Sequence, residues 1–169
     1  MSDIVPSDAH DPFPSGGPHA SDRFAIEDLY AKYFWALDTQ DIEIYLTTFW
    51  SDASLVETQL DGSIETWSGL DKVREFTESH FGGYRGHQHR DSNRLYQPIG
   101  PVSESGTPDR WSISSYYFTS HRDDQGHTEF FSTGYSRDIV ERRSGVWRFA
   151  ERGVARWNGD LTHPLRRDV

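Results

Sequence analysis

The second half of the chain, residues 87–157, consists of segments rich in β-branched and aromatic residues, separated by two short turns and by a loop rich in Ser, Gly and Pro at Pro101–Asp109. Short turns such as Ser144-Gly145 connect antiparallel neighbours, because parallel strands need long crossover connections. The first half contains helical periodicity and one hairpin signal at Asp61-Gly62. This order predicts an α+β domain in which three N-terminal helices pack in a curved, mostly antiparallel sheet, forming a cone with an open end.

Apolar residues at helical spacing indicate the three helices, near residues 22–38, 41–49 and 70–80. Ser21 or Asp22 is expected to cap the first helix, and Asp41 the second. Residues 1–20 are rich in Pro and Gly and lack periodicity, so we expect a disordered or loosely docked arm. The folded domain is predicted to span residues 21–159, followed by an irregular tail at 160–169.

Composition excludes several classes of protein. The net charge of −10 argues against nucleic acid and anionic membrane surfaces as partners, because both need clustered Lys and Arg. The chain has no Cys, which excludes disulfides, thiolate catalysis and Cys-ligated metals. Neither an apolar run of membrane length nor a signal-peptide pattern occurs, so a soluble cytoplasmic protein is expected.

Asp38 and His89 are the residues most indicative of chemistry. Asp38 ends an otherwise apolar helical stripe, and burying a carboxylate without a partner costs several kcal/mol. His89 lies on a predicted strand, with Asn93 four residues further on. If the two side chains meet, the Asp fixes the tautomer of a His that acts as a general base. A capping Asp and a structural His are the alternative.

A metal site is a second alternative. His87 and His89 point to the same face of a strand, and either Asp38 or Asp91 could complete a set of His, His and carboxylate ligands. On that strand Asp91 also shares the face of His89, unless a bulge turns it outward.

Aromatic residues make up 14% of the chain, against a hydrophobic fraction of 34%. Such side chains suit either a plain core or the walls of a cavity for a small molecule. The candidate lining residues are Phe34, Trp35, Tyr45, Trp50, Asn93, Tyr117, Phe131 and Tyr135.

The order of elements and three short motifs resemble the SnoaL-like group of the nuclear-transport-factor-two-like superfamily. The motifs are Ala25-Ile26-Glu27-Asp28-Leu29-Tyr30, Ala36-Leu37-Asp38 with Phe49-Trp50-Ser51-Asp52, and Gly145-Val146-Trp147-Arg148-Phe149. The resemblance covers roughly residues 22–158. Its nearest patterns are those of bile acid 7α-dehydratase and hexachlorocyclohexane dehydrochlorinase.

The resemblance implies catalytic roles for Asp38 and His89. It also aligns Tyr33 with a Tyr of the dehydratase and Arg152 with an Arg of the dehydrochlorinase, and Asn93 with an Asn that often follows the His. Asp91 departs from the pattern, since relatives usually carry a small or apolar residue there. One fold hosts many reactions, so the motifs specify the fold more strongly than the chemistry.

The expected function is that of a cofactor-independent lyase, a dehydratase or related elimination enzyme, acting on a small, largely apolar cyclic substrate. A ketosteroid-isomerase-like isomerase or polyketide cyclase is one alternative, and a non-catalytic small-molecule-binding module is another. The resemblance also implies a homo-oligomer, with a trimer favoured over a dimer. Its contact face is expected on the outside of the last strands, at Trp111, Ile113 and Phe130.

Overall fold

A computed structural model describes residues 17–83, 86–104 and 106–157. The helices are α1 (Ala20–Thr39), α2 (Ile42–Leu46) and α3 (Leu70–Gly83). The strands are β1 (Phe49–Thr58), β2 (Ile64–Ser68), β3 (His87–Pro98), β4 (Arg110–Arg122), β5 (Thr128–Arg143) and β6 (Val146–Arg156). Most of the predicted arm at 1–20, and the tail at 160–169, lie outside the described residues.

The strands form one sheet in the order β2-β1-β6-β5-β4-β3. Strand β1 pairs with β6 in parallel, and the other neighbours pair antiparallel. The last four strands are a meander, because each pairs antiparallel with the next along the chain. The predicted α+β architecture, helices packed in a curved and mostly antiparallel sheet, is therefore confirmed.

Helix α1 packs one face on the inside of the sheet. Its buried side chains recur every three or four residues, and Tyr30 meets the ring of Phe149 edge-on at a centroid distance of 5.1 Å. Phe149 is fully buried on β6, so its truncation to Ala is expected to cost about 3–5 kcal/mol. This contact seats the middle of α1 on the inner face of the sheet.

The predicted cap of α1 was wrong. The helix begins at Ala20, one residue before Ser21, and the N-cap residue His19 makes no side-chain capping bond. Asp22 is instead buried, where it accepts hydrogen bonds from Arg142 and Trp147. The carboxylate is thus used to tie the helix to the sheet. In α2 the prediction holds, since Asp41 accepts from the backbone N–H of Ile44.

Two bulges decide which side chains face inward. The β3–β4 register shifts between Ser92 and Leu95, where Asn93 has a φ of 58°. Asp91 therefore stays on the inner face with His89, whereas Asn93 is turned away from it. On β5, Ser132 pairs with Thr119 and Phe130 with Ser120, so Phe131 occupies the extra position of a second bulge.

The outer face of the sheet differs from the sequence expectation. Trp111 and Ile113 are 2% and 0% exposed and lie in the core, because the odd-numbered positions of β4 face inward. Phe130 is exposed as expected, and Tyr116 and Phe118 accompany it. None of the helices in the described ranges is long and apolar enough to cross a membrane.

Candidate active site

A cavity lies between α1, α3 and the inner face of the sheet. It encloses about 770 Å³ of space, its open mouth included. Its walls are largely aromatic and apolar, with several titratable groups among them. The lining includes Tyr33, Phe34, Leu37, Tyr45, Leu55, Glu57, Phe76, His80, His87, His89, Tyr117, Phe131, Arg152 and Arg156.

His89 and Asp38 are paired at the edge of this cavity. His89 Nδ1 lies 2.7 Å from Asp38 Oδ1, and the backbone N–H of His89 donates to both carboxylate oxygens at 3.1 Å. The side chains are 15% and 17% exposed. With Nδ1–H donating to the carboxylate, Nε2 becomes the nitrogen that can accept a proton.

The local fold explains this pairing. Gln40 adopts the left-handed conformation and ends α1 two residues after Asp38, which leaves the carboxylate at the last turn. Strand β3 begins at His87 and runs beside that turn. The ring of Phe34, one turn earlier on α1, stacks on His89 at 6.1 Å. The imidazole is thus held on one side by a ring and at Nδ1 by the carboxylate.

His89 also separates two compartments. Phe34, His87 and His89 border both the aromatic cavity and a larger polar groove that contains Asp38, Asp91 and Arg94. Asp38 therefore contacts the imidazole from the groove, whereas Tyr33 lines the cavity.

Tyr33 belongs to a pair of buried phenols. The hydroxyl of Tyr45 donates to that of Tyr33 at 3.3 Å, so the hydrogen of Tyr33 is available to another acceptor. Burial raises the pKa of Tyr45 well above its usual range, which keeps it a donor. Tyr117 is likewise kept protonated, because burial raises its pKa to about 12.

The position of Tyr117 depends on a glycine. Gly134 lies directly opposite Tyr117 on β5, and a Cβ at Gly134 would fall 2.5 Å from the Tyr117 ring. Only a residue without a side chain permits the ring to lie flat there, across the inner face of the sheet.

Arg152 is buried beneath the cavity. Its Nη1 contacts Asp138 Oδ2, the residue directly opposite on β5, and both side chains are almost fully enclosed. The guanidinium lies 4.6 Å from the ring centroid of Tyr33 and 5.4 Å from that of Phe34. Its Nε is buried and has no hydrogen-bond partner among the described residues. That N–H is a donor suited to an oxygen of a bound ligand.

The sequence did not single out Asp138 or His80. Asp138 was detectable in principle, because an inward-facing acid opposite an inward-facing Arg follows from strand alternation once the β5–β6 register is known. Burial, and next the nearby His89, lower the pKa of His80 to about 4, so it contributes a neutral imidazole to the cavity at neutral pH.

Four predicted lining residues lie outside this cavity. Asn93 and Tyr135 border a separate groove with Tyr116 and Arg137, because the bulge at Asn93 and the alternation of β5 turn them outward. Trp35 is 73% exposed beside the polar groove.

Trp50 is the fourth. Its Nε1 donates to the backbone carbonyl of Glu141, and the guanidiniums of Arg143 and Arg148 stack on its ring at 5.0 and 4.9 Å. The ring therefore joins β1 to the end of the sheet and does not face the cavity.

The alternative metal site lacks a suitable arrangement. His87, His89 and Asp91 share a strand face, but the ring of His87 stacks on His121 and meets Phe131 edge-on. Within the described residues, no group of three or more His, Asp or Glu side chains is placed to hold a metal ion.

A curved open sheet around three helices, with its cavity inside, defines a cystatin-like α+β cone. The model of the SnoaL-like domain family matches residues 18–153, and the chain belongs to this family. No functionally curated protein has a significantly similar sequence.

Solved structures agree on the fold. A Nostoc punctiforme PCC 73102 protein of unknown function with a cystatin-like fold is 24% identical, with a TM-score of 0.68 over 88% of this chain and 100% of that one. A proposed scytalone dehydratase from Novosphingobium aromaticivorans DSM 12444 is 22% identical, with a TM-score of 0.64 over 81% and 85%. LinA is 19% identical, with a TM-score of 0.66 over 81% and 86%.

Proposed function

We propose that this protein is a cofactor-independent lyase in which His89, oriented by Asp38, removes a proton from a small cyclic substrate. The observation that carries the proposal is the 2.7 Å contact between His89 Nδ1 and Asp38 Oδ1 at the edge of an aromatic cavity. A carboxylate on Nδ1 fixes the tautomer in which Nε2 is basic, and it stabilises the imidazolium that forms after proton transfer.

Tyr33 and Arg152 assist the departing group. Tyr33 accepts from Tyr45 and so can donate its own hydrogen to a leaving hydroxyl. Arg152 offers a positive charge and its unpartnered Nε–H where negative charge develops on a substrate oxygen. Both groups are enclosed, and electrostatic stabilisation is stronger in such a site than in water.

The cavity favours a substrate that is mostly apolar and cyclic. Phe34, Leu37, Tyr117 and Phe131 offer flat or apolar surfaces, and the polar lining includes His89 and Arg152. A ring packed against these walls would leave its one activated C–H facing the imidazole. A structural neighbour described as a proposed scytalone dehydratase agrees with this class of reaction.

An isomerase of the ketosteroid type, or a polyketide cyclase, is the second candidate. Tyr33 and Arg152 are two donors on one side of the cavity, and two donors converging on one oxygen would stabilise an enolate. The base would be the same, but no group would leave. A binding module, the third candidate, uses the cavity without proton transfer.

The experiment that separates them is mass spectrometry of extracted cyclic metabolites incubated with the protein in D₂O. A lyase produces a new species lighter by the departing group. An isomerase or cyclase of this kind exchanges deuterium without that loss, and a binding module retains a ligand unchanged. His89→Ala must abolish the mass change; if it does not, the lyase proposal is wrong.

A further inference from the structure

A line of hydrogen-bonded side chains crosses the sheet from the polar groove to Arg152. Asp91 on β3 contacts Ser115 on β4, with Oδ2 and Oγ 2.7 Å apart. Ser115 contacts Ser136 on β5, with their hydroxyl oxygens 2.8 Å apart. Ser136 in turn donates to Asp138 Oδ2 at 3.1 Å, and Asp138 is the partner of Arg152.

The number of hydrogens available does not match the number of contacts. Three oxygen–oxygen contacts link Asp91, Ser115, Ser136 and Asp138. Each hydroxyl has one hydrogen, so the two serines supply two. If both carboxyls were ionised, one of the three contacts would have no hydrogen, and two oxygen lone pairs would face each other there. A third hydrogen, carried by one of the two carboxyls, satisfies all three contacts.

The ion pairs around these four side chains also favour a third hydrogen. Arg94 contacts Glu27 and Asp91, and Arg152 contacts Asp138. Two guanidiniums therefore face three carboxyls. Asp91 and Asp138 have side chains that are 2% and 0% exposed, and an uncompensated charge at such depth is costly. Glu27 is 38% exposed and shares Arg94 with Asp91, so a proton on Asp91 leaves Arg94 to Glu27 and Arg152 to Asp138.

We propose that Asp91 and Asp138 share one proton through Ser115 and Ser136, and that these four side chains form a proton relay between the polar groove and the counter-ion of Arg152. The proton resides on Asp91 at rest, because Asp138 Oδ2 already accepts from Tyr30 and Arg152. Burial is the main cause that raises the pKa of Asp91 to about 6, so Asp91 carries the proton below that pH.

The relay moves the negative charge between Asp138 and Asp91 and leaves the net charge of the cluster unchanged. The Asp91 carboxyl passes its proton to Ser115 Oγ, the Ser115 hydrogen moves to Ser136 Oγ, and the Ser136 hydrogen moves to Asp138 Oδ2. Asp91 becomes the carboxylate, beside Arg94, and Asp138 becomes the acid. The negative charge is thereby transferred from Asp138, beside Arg152, to Asp91 at the other end of the relay.

This transfer deepens the proposed lyase and rests on it for its role in turnover. When negative charge develops on the substrate next to Arg152, an ionised Asp138 opposes it. Moving that charge to Asp91 leaves the guanidinium to stabilise the substrate oxygen alone. The shared proton itself exists without substrate, so it can be tested independently of the reaction.

Infrared spectroscopy of the substrate-free protein at pH 5 tests the proposal. Wild type should show the carbonyl band of a protonated, buried carboxyl that is absent from Asp91→Asn. The Asn is isosteric, and its N–H donates to Ser115 as the acid does, so the fold should be retained. Glu57→Gln is the control and should keep the band. Glu57 is a partly buried acid that does not belong to the relay, and burial raises its pKa as well.

Ser136→Ala supplies the decisive comparison. Ser136 acts on Asp91 only through Ser115, and removing it frees the Ser115 hydrogen to donate to an ionised Asp91. The titration of the band should then move about one pH unit lower, which corresponds to roughly one hydrogen bond. Ser114→Ala, the neighbour on the opposite face of β4, should leave it unchanged. Ser136→Cys replaces the Ala variant if that variant does not fold.

A spectrum of Asp91→Asn identical to wild type, or a Ser136→Ala protein that titrates as wild type does, would overturn the shared proton. Failure of the lyase has a different signature, since His89→Ala would then leave the substrate mass change intact while the infrared band is still present.

Discussion

Asp38 holds His89 at two points, with one carboxylate oxygen 2.7 Å from the ring Nδ1 and both oxygens accepting from the backbone N–H of the same residue. The carboxylate thus fixes the strand and the side chain together. A structural ion pair would need only one of these contacts. The double attachment orients the ring relative to the cavity, which is what a general base requires.

Replacing His89 with Ala should lower kcat by about 10²–10⁴-fold, the usual cost of losing a general base. Folding should be retained, because the backbone contacts of residue 89 do not involve the ring. His127→Ala is the matched control: His127 forms a similar contact with Asp123, but its side chain is 70% exposed. Steady-state kinetics on the identified substrate measures both, and equal losses in the two variants would contradict a catalytic His89.

Asp38→Asn should reduce kcat and leave the melting temperature nearly unchanged. The amide oxygen still accepts from the backbone N–H of His89, but it cannot stabilise an imidazolium as a carboxylate does. Asp38→Ala should add a loss of stability of about 1–3 kcal/mol, because it leaves that partly buried N–H without its acceptor. Chemical denaturation and kinetics on both variants separate the two roles; an Asn variant with wild-type kcat would exclude the orienting role.

The sequence predicts the fold better than it predicts the cavity. Strand alternation, together with the short turns that join β4, β5 and β6, indicates the meander, and Asp38 and His89 are placed by the order of their elements. The bulges could not be foreseen, because each inserts one residue without a clear sequence signal. Asn93 was therefore expected beside His89 and is turned outward, and Phe131 faces the cavity from an irregular position.

The Arg152–Asp138 pair should be essential to stability in the single variants. Arg152→Met leaves a buried carboxylate unpaired, a loss of about 3–5 kcal/mol. The double variant Arg152→Met/Asp138→Leu should recover much of it, because apolar groups can replace a buried pair. Lys72→Met, which breaks a pair with Glu75 in which both side chains are exposed, should cost far less. Urea unfolding measures all three, and a mild effect of Arg152→Met alone would argue that Asp138 is already protonated.

Self-association, with a trimer favoured, remains a prediction. Phe118 and Phe130 stack on the outer face of the sheet at 6.1 Å and are 42% and 68% exposed. An apolar pair of this kind is typical of a contact between subunits. Phe130→Ser should shift the protein towards monomer in sedimentation experiments, whereas Val102→Ser, an exposed apolar residue elsewhere, should not. A monomeric wild type at micromolar concentration would contradict the prediction.

The pH dependence of stability should reveal Asp91. Burial raises its pKa to about 6 in the folded protein, against about 3.9 in the unfolded chain. A carboxyl with a raised pKa binds its proton more tightly when folded, so its contribution is complete below pH 4 and is lost as the pH rises to about 6. The expected loss is about 3 kcal/mol. Asp91→Asn cannot titrate, and the difference in unfolding free energy between wild type and this variant should follow that curve.

Asp123→Asn is the opposite control, because hydrogen bonds from the backbone of His127 lower the pKa of Asp123, and its contribution should be lost as the pH falls. A wild-type minus Asp91→Asn difference that stays constant from pH 4 to pH 7 would show that Asp91 is ionised throughout and carries no proton to share.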